Sequence, residues 1–195
     1  MQLVFATAIL SLIMTTSASI FSYNASAECL SSKATIEQFD TDQVTKLAMD
    51  KVCNKGCKPK WSDFRSTLRE KYAIPILNAE SEKMGTPDLV PHYVSLMDAA
   101  YDMAEQKCGA KELGDKDLCL NTEDVKKIAK CIRGNVWSLA VSKSSNILPI
   151  MLAAPCKKHE EYLKSPELLE QTLPAYMEAY ASQCKESETI SAEQT

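Results

Sequence analysis

Residues 86–109, TPDLVPHYVSLMDAAYDMAEQKCG, decide the fold class. Thr86-Pro87-Asp88 opens the segment with proline in the first turn, where its missing N–H does no harm. Tyr93, Leu96, Met97, Ala100, Ala104 and Cys108 then recur at steps of three and four. That step lays them along one face of an α-helix, and Gly109 is the natural stop.

The same grammar extends both ways. Asp40, followed three residues later by Gln43, reads as an N-cap ahead of Val44, Leu47, Ala48 and Val52. Gly56 and Pro59 stop that helix. Trp61, Phe64, Leu68 and Tyr72 form a second stripe, which Pro75 is expected to end. Ile76, Leu77, Glu80 and Met84 then form a short helix that closes at Gly85. Downstream, residues 109–120 read as a polar loop. Asn121-Thr122-Glu123-Asp124 starts a helix with Val125, Ile128, Ala129 and Ile132 inward, Gly134 near its end and Val136–Val141 as a kinked continuation. Ile147–Ala154 is apolar enough for a core helix, and Ser165-Pro166-Glu167 starts a last helix kinked at Pro174. No alternating strand pattern longer than a few residues occurs. The expected fold is all-α: a single compact disulfide-braced domain of about six to eight helices.

Residues 1–27 carry no charged side chain. Their apolar run Leu3–Met14 is too short for a membrane span of about 20 residues, and Ala25-Ser26-Ala27 matches an A-x-A cleavage pattern. The expected organisation is a secretory signal peptide at 1–27, the helical domain at 28–185 and a disordered polar tail at 186–195. The only N-x-S/T site, Asn24-Ala25-Ser26, falls inside the signal. The expected location is secreted and extracellular, with no membrane span.

The composition has 45% hydrophobic and 25% charged residues, as in ordinary globular proteins. With 22 basic against 26 acidic residues the net charge is −4, which argues against nucleic acid as the main partner. Five glycines disfavour turn-rich β folds and phosphate-cradling loops. Eight cysteines, at 29, 53, 57, 108, 119, 131, 156 and 184, read as a disulfide framework in an exported chain. Spacing alone leaves about 105 connectivities open. Cys53 and Cys57, four apart, are expected to reach different distant helices. Zinc sites favour tandem C-x2–4-C pairs, and this chain has one C-x3-C pair, so no metal is expected.

Cys156-Lys157-Lys158-His159-Glu160-Glu161-Tyr162 resembles the helical Cys-x-x-His-Asp segment of secreted phospholipases A2. The resemblance implies a general-base role for His159 and a calcium-binding carboxylate beside it. Glu160 stands where that family has Asp, and no glycine-rich calcium loop lies upstream. No nucleophile motif such as G-x-S-x-G is present either, and His92 reads as a helix-surface residue. The chain is therefore expected to be non-enzymatic and to need no cofactor.

Two non-enzymatic roles remain. In signal peptide, size and cysteine count the chain resembles the small cysteine-rich proteins exported towards a host. That resemblance implies an effector-like interaction protein acting on an extracellular or host macromolecule. The spacing C-x23-C-x3-C at Cys29, Cys53 and Cys57 also resembles the start of insect odorant-binding proteins. That likeness implies a carrier of a small apolar ligand, for which Trp61, Tyr93, Met97, Trp137, Ile150 and Met151 are the candidate lining residues. The basic stretch KGCKPK, Lys55–Lys60, reads as a solubilising cluster or a binding site.

Overall fold

The computed structural model describes residues 40–142, 145, 149–150 and 156–193, with the backbone alone at 137, 140–141, 156–157, 159 and 185–193. Asp40 caps α1 (Thr41–Lys51): its Oδ1 accepts from the N–H groups of Asp42 at 2.9 Å and Gln43 at 3.0 Å. A short 3₁₀ turn, Cys53–Lys55, follows and ends at Gly56.

The second stripe does not stop at Pro75. Phe64–Ala73 forms a π-helical segment that runs straight into α2 (Ile74–Met84), and the Ile74 N–H reaches back five residues to the Arg69 carbonyl. Proline inside a helix lacks a donor and crowds the carbonyl four residues earlier. Widening the preceding turn relieves both problems, and the chain keeps its direction. The same device recurs at Pro174. A π-helical segment, Leu168–Thr172, leads into α6 (Leu173–Glu193), with the Leu173 N–H bonded to the Leu168 carbonyl. Between these lie α3 (Val90–Lys107), α4 (Thr122–Ser142) and α5 (Cys156–Lys164). The structure is thus all-α, with six α-helices and no strand among the described residues. The C-terminal helix continues to Glu193, into the stretch 186–195 expected as a disordered tail; no glycine or proline follows Pro174 in it.

Helix α3 packs against α2 and α4, and α1 against α4 and α6. Tyr93, Leu96, Met97, Ala100 and Ala104 are all buried, as the opening periodicity requires, and so are Val44, Ala48, Phe64 and Leu68. Of the apolar run 147–154, Ile150 is described and is fully buried; most of that run lies outside the described residues, as do residues 1–27 with their signal-peptide reading.

The stretch 109–120 is more than the polar loop expected. Leu113 and Leu118 are buried, the Leu118 N–H donates to the Pro59 carbonyl at 2.9 Å, and the Ser62 N–H donates to the Gly114 carbonyl at 3.0 Å. An antiparallel bridge pairs Lys60 with Asp117. Docking onto residues 59–62 supplies partners for this backbone, which lets two leucines enter the core.

Three disulfides brace the described part. Cys53 joins Cys119, Cys57 joins Cys184, and Cys108 joins Cys131, with Cα–Cα distances of 5.6, 6.0 and 5.7 Å. Cys53 and Cys57 do reach different distant elements, although the partner of Cys53 sits in the 109–121 connection and not in a helix.

Two glycines give opposite expectations. Gly85 closes α2 at φ +74°, and a Cβ there would meet nothing within 4 Å. Gly85→Ala should therefore cost about 1 kcal/mol through backbone conformation alone. Gly134 lies inside α4 with equally open surroundings and no positive φ, so Gly134→Ala should stabilise by about 0.5–1 kcal/mol. Urea denaturation of both variants checks this pair, and shifts of the same sign would contradict it.

Candidate interaction surface

The carrier candidates are placed mainly as core. Trp61 is 2% exposed and stacks on Tyr101 at a centroid distance of 4.8 Å, while its indole N–H donates to Glu105 Oε1 at 3.2 Å. Phe64 also stacks on Tyr101 at 4.7 Å, and the Arg65 guanidinium lies 4.8 Å from the Tyr101 ring centroid. Tyr93 and Met97 are fully buried on α3. Burial pushes the Tyr93 phenol up to about 12, against a smaller opposing effect of a hydrogen bond with Thr86. The side chain of Trp137 on α4, and Met151 altogether, lie outside the described residues.

Three grooves among the described residues are open to solvent, and none of the described candidates Trp61, Tyr93, Met97 and Ile150 lines them. The largest, about 340 Å³, is bounded by Lys51, Lys55, Glu178, Ala181 and Ser182. A second, about 260 Å³, lies between α3 and α4 beside Asp102, Met103 and Ser142.

The phospholipase-like segment forms α5. Its Glu160 pairs with Lys164, and its Tyr162 turns inward, while the side chain of His159 lies outside the described residues. His92 sits half-buried in the first turns of α3. Among the described residues no group of three His, Cys, Asp or Glu side chains could hold a metal ion. No described helix is long and apolar enough to cross a membrane. Of the eight cysteines, Cys29 and the side chain of Cys156 lie outside the described residues.

The partner of Tyr162 is Glu80, a carboxylate that is only 1% exposed. Tyr162 donates to its Oε2 at 2.5 Å and Tyr176 to its Oε1 at 2.6 Å. Lys83 Nζ, largely exposed itself, reaches Oε1 at 2.8 Å. Burial is the largest influence on Glu80 and would raise its pKa. The donors from Lys83, Tyr162 and Tyr176 together outweigh it and hold the carboxyl below its usual range. Burial and the adjoining carboxylate raise both phenols. The centre therefore stores a charge where α2, α5 and α6 meet, and all its members face one another, not a cleft. The spacing of Ile76, Glu80 and Met84 marks Glu80 as inward-facing; its tyrosine donors have no local sequence signal.

Different chemistry faces solvent at Lys55–Lys60. Lys55, Lys58 and Lys60 are exposed while Cys57 and Pro59 between them are buried. The stretch is pinned on both sides: Cys57 to α6 through Cys184, and the preceding Cys53 to the 109–121 connection through Cys119. The Lys60 N–H also donates to Asp63 Oδ2 at 3.1 Å. Next to Cys119 stands Leu120, 83% exposed, the one large hydrophobic side chain so exposed among the described residues. The 340 Å³ groove adjoins this stretch, since Lys55 is one of its lining residues. Comparison with protein-family models, curated proteins and solved structures gives no match to this chain.

Proposed function

We propose that the protein is an exported, non-enzymatic interaction protein that acts by presenting a disulfide-held surface to an extracellular or host macromolecule. The observation that carries this is the Lys55–Lys60 stretch with Leu120, a basic and apolar surface whose backbone is fixed by two disulfides. A surface ordered before binding loses less conformational entropy when it binds. The disulfides and the lack of any described membrane-crossing helix are compatible with an extracellular protein. The burial of Trp61, Tyr93, Met97 and Ile150 gives the carrier reading less support than the interaction reading, since these side chains fill the core.

Native mass spectrometry of the protein secreted from an oxidising host tests this. The expected spectrum is the bare polypeptide from residue 28 onward with all eight cysteines oxidised. Three bridges are those above, which leaves Cys29 and Cys156 as the expected fourth pair. Loss of a small apolar molecule on denaturation would overturn the interaction reading in favour of a carrier.

A further inference from the structure

We propose that the Lys55–Lys60 stretch and Leu120 together dock a short acidic peptide segment of a partner protein, an inference that rests on the interaction role above. The chain carries net charge −4, yet three of its lysines are exposed within six positions. They differ in how far they are already engaged. Lys51, at the end of α1, pairs with Glu178 at 2.7 Å, and Lys55 helps hold the Glu178 carboxyl below its usual range. The ammonium groups of Lys58 and Lys60 form no ion pair among the described residues. Their backbone is held by the Leu118-to-Pro59 hydrogen bond and the Lys60–Asp117 bridge, so two cationic side chains project from a fixed base.

Leu120 supplies what an electrostatic patch lacks. Interfaces combine an apolar centre with a polar rim, and an isolated exposed leucine beside unpaired cations offers both on a small scale. The covalent link from Cys119 to Cys53 keeps that leucine close to the basic stretch. The matching ligand is a peptide that alternates carboxylates with an apolar side chain.

The surroundings argue for a short segment over a long polyanion. Exposed Asp115 and half-exposed Asp117 flank the lysines; Asp115 accepts from Ser62 Oγ at 2.5 Å and Asp117 from the Cys119 N–H at 2.8 Å. Those fixed negative charges would repel a uniformly anionic chain running past the patch. Single-stranded nucleic acid also needs aromatic faces for stacking, and Trp61, the nearest tryptophan in sequence, is buried.

The test is a fluorescence-anisotropy titration of the disulfide-intact secreted protein with a labelled peptide of alternating Glu and Leu. Controls are the same peptide with Gln for Glu, a heparin fragment, and phosphatidylserine-containing vesicles. The Glu/Leu peptide should bind at least about tenfold more tightly than the Gln version, and binding should weaken with salt. The double variant Lys58→Glu/Lys60→Glu should weaken it by at least about tenfold, and Leu120→Ser by a smaller factor, with thermal melting unchanged. Equal binding of the two peptides, no peptide binding, or indifference to the lysine reversal would overturn the acidic-peptide proposal. Preferential binding of heparin or vesicles would overturn it too, while leaving a macromolecular interaction role intact. That broader role fails on a different result, the release of an apolar ligand in native mass spectrometry.

Discussion

Removing the Cys57–Cys184 bridge, by the double change Cys57→Ala/Cys184→Ala, is expected to cause the largest loss of stability of the three described disulfides. Its ends lie 127 residues apart in sequence, against 66 for Cys53–Cys119 and 23 for Cys108–Cys131. In the chain-entropy account a bridge stabilises by shrinking the unfolded ensemble, and the effect grows slowly with loop length. That gives about 4–5 kcal/mol for Cys57–Cys184 and about 3.5 kcal/mol for Cys108–Cys131. Cys53–Cys119 already shortens the longer loop, which pulls the first figure toward the lower end. Against a typical total of about 5–15 kcal/mol, either loss is large.

The bridge also has a local role. It ties α6 to the basic stretch between α1 and the π-helical segment, so its removal should loosen Lys58 and Lys60 as well as destabilise the whole chain. Guanidinium denaturation of the double-alanine variants checks the ranking, and amide exchange at residues 55–60 checks the local effect. A change below about 1 kcal/mol on removing Cys57–Cys184, or a larger cost for Cys108–Cys131, would contradict this account.

What could be read in advance divides along physical lines. The face of α3 was legible because burial on one side of a helix leaves a period of 3.6 in the sequence, and Tyr93, Leu96, Met97 and Ala100 are indeed inside. The cap at Asp40 was legible because it is a bond to its own neighbours. Pro75 was misread as a stop. Proline chemistry predicts trouble at that position, but it does not say whether the chain ends its helix or widens a turn to pass through. Leu113 and Leu118 were hidden in a polar stretch, since their burial depends on docking against Pro59 and Ser62, more than fifty positions away. The basic stretch was visible as composition. Its proximity to Leu120 depends on Cys53 pairing with Cys119, one choice among many that spacing leaves open.

The Glu80 centre shows the same limit and gives the other large expected effect. Glu80→Ala should destabilise the protein by about 2–5 kcal/mol, because it strands two half-buried phenols that donate to a single carboxylate, at about 1–3 kcal/mol for each donor left unsatisfied. The exposed ammonium of Lys83 can return to water, so its share of the loss is small. Glu80→Gln keeps the shape and one acceptor but replaces charge-assisted bonds with neutral ones, for a cost of about 2 kcal/mol.

The pH dependence separates charge from packing. The folded-state pKa of Glu80 is depressed below its unfolded value, so its stabilising contribution is fully present above the usual glutamate pKa of about 4.3 and disappears as pH falls through the lower folded value. Glu80→Gln has no such titration. The stability gap between wild type and Glu80→Gln should therefore be widest near neutral pH and should close on acidification. The gap to Glu80→Ala should narrow only in part, since a protonated carboxyl still fills the space and still bonds the tyrosines. Urea melts of the three proteins at pH 7 and pH 3 measure both gaps. A Gln gap that does not change with pH would mean that Glu80 is held by shape alone, and that the convergence of Tyr162 and Tyr176 on its carboxylate adds little energy.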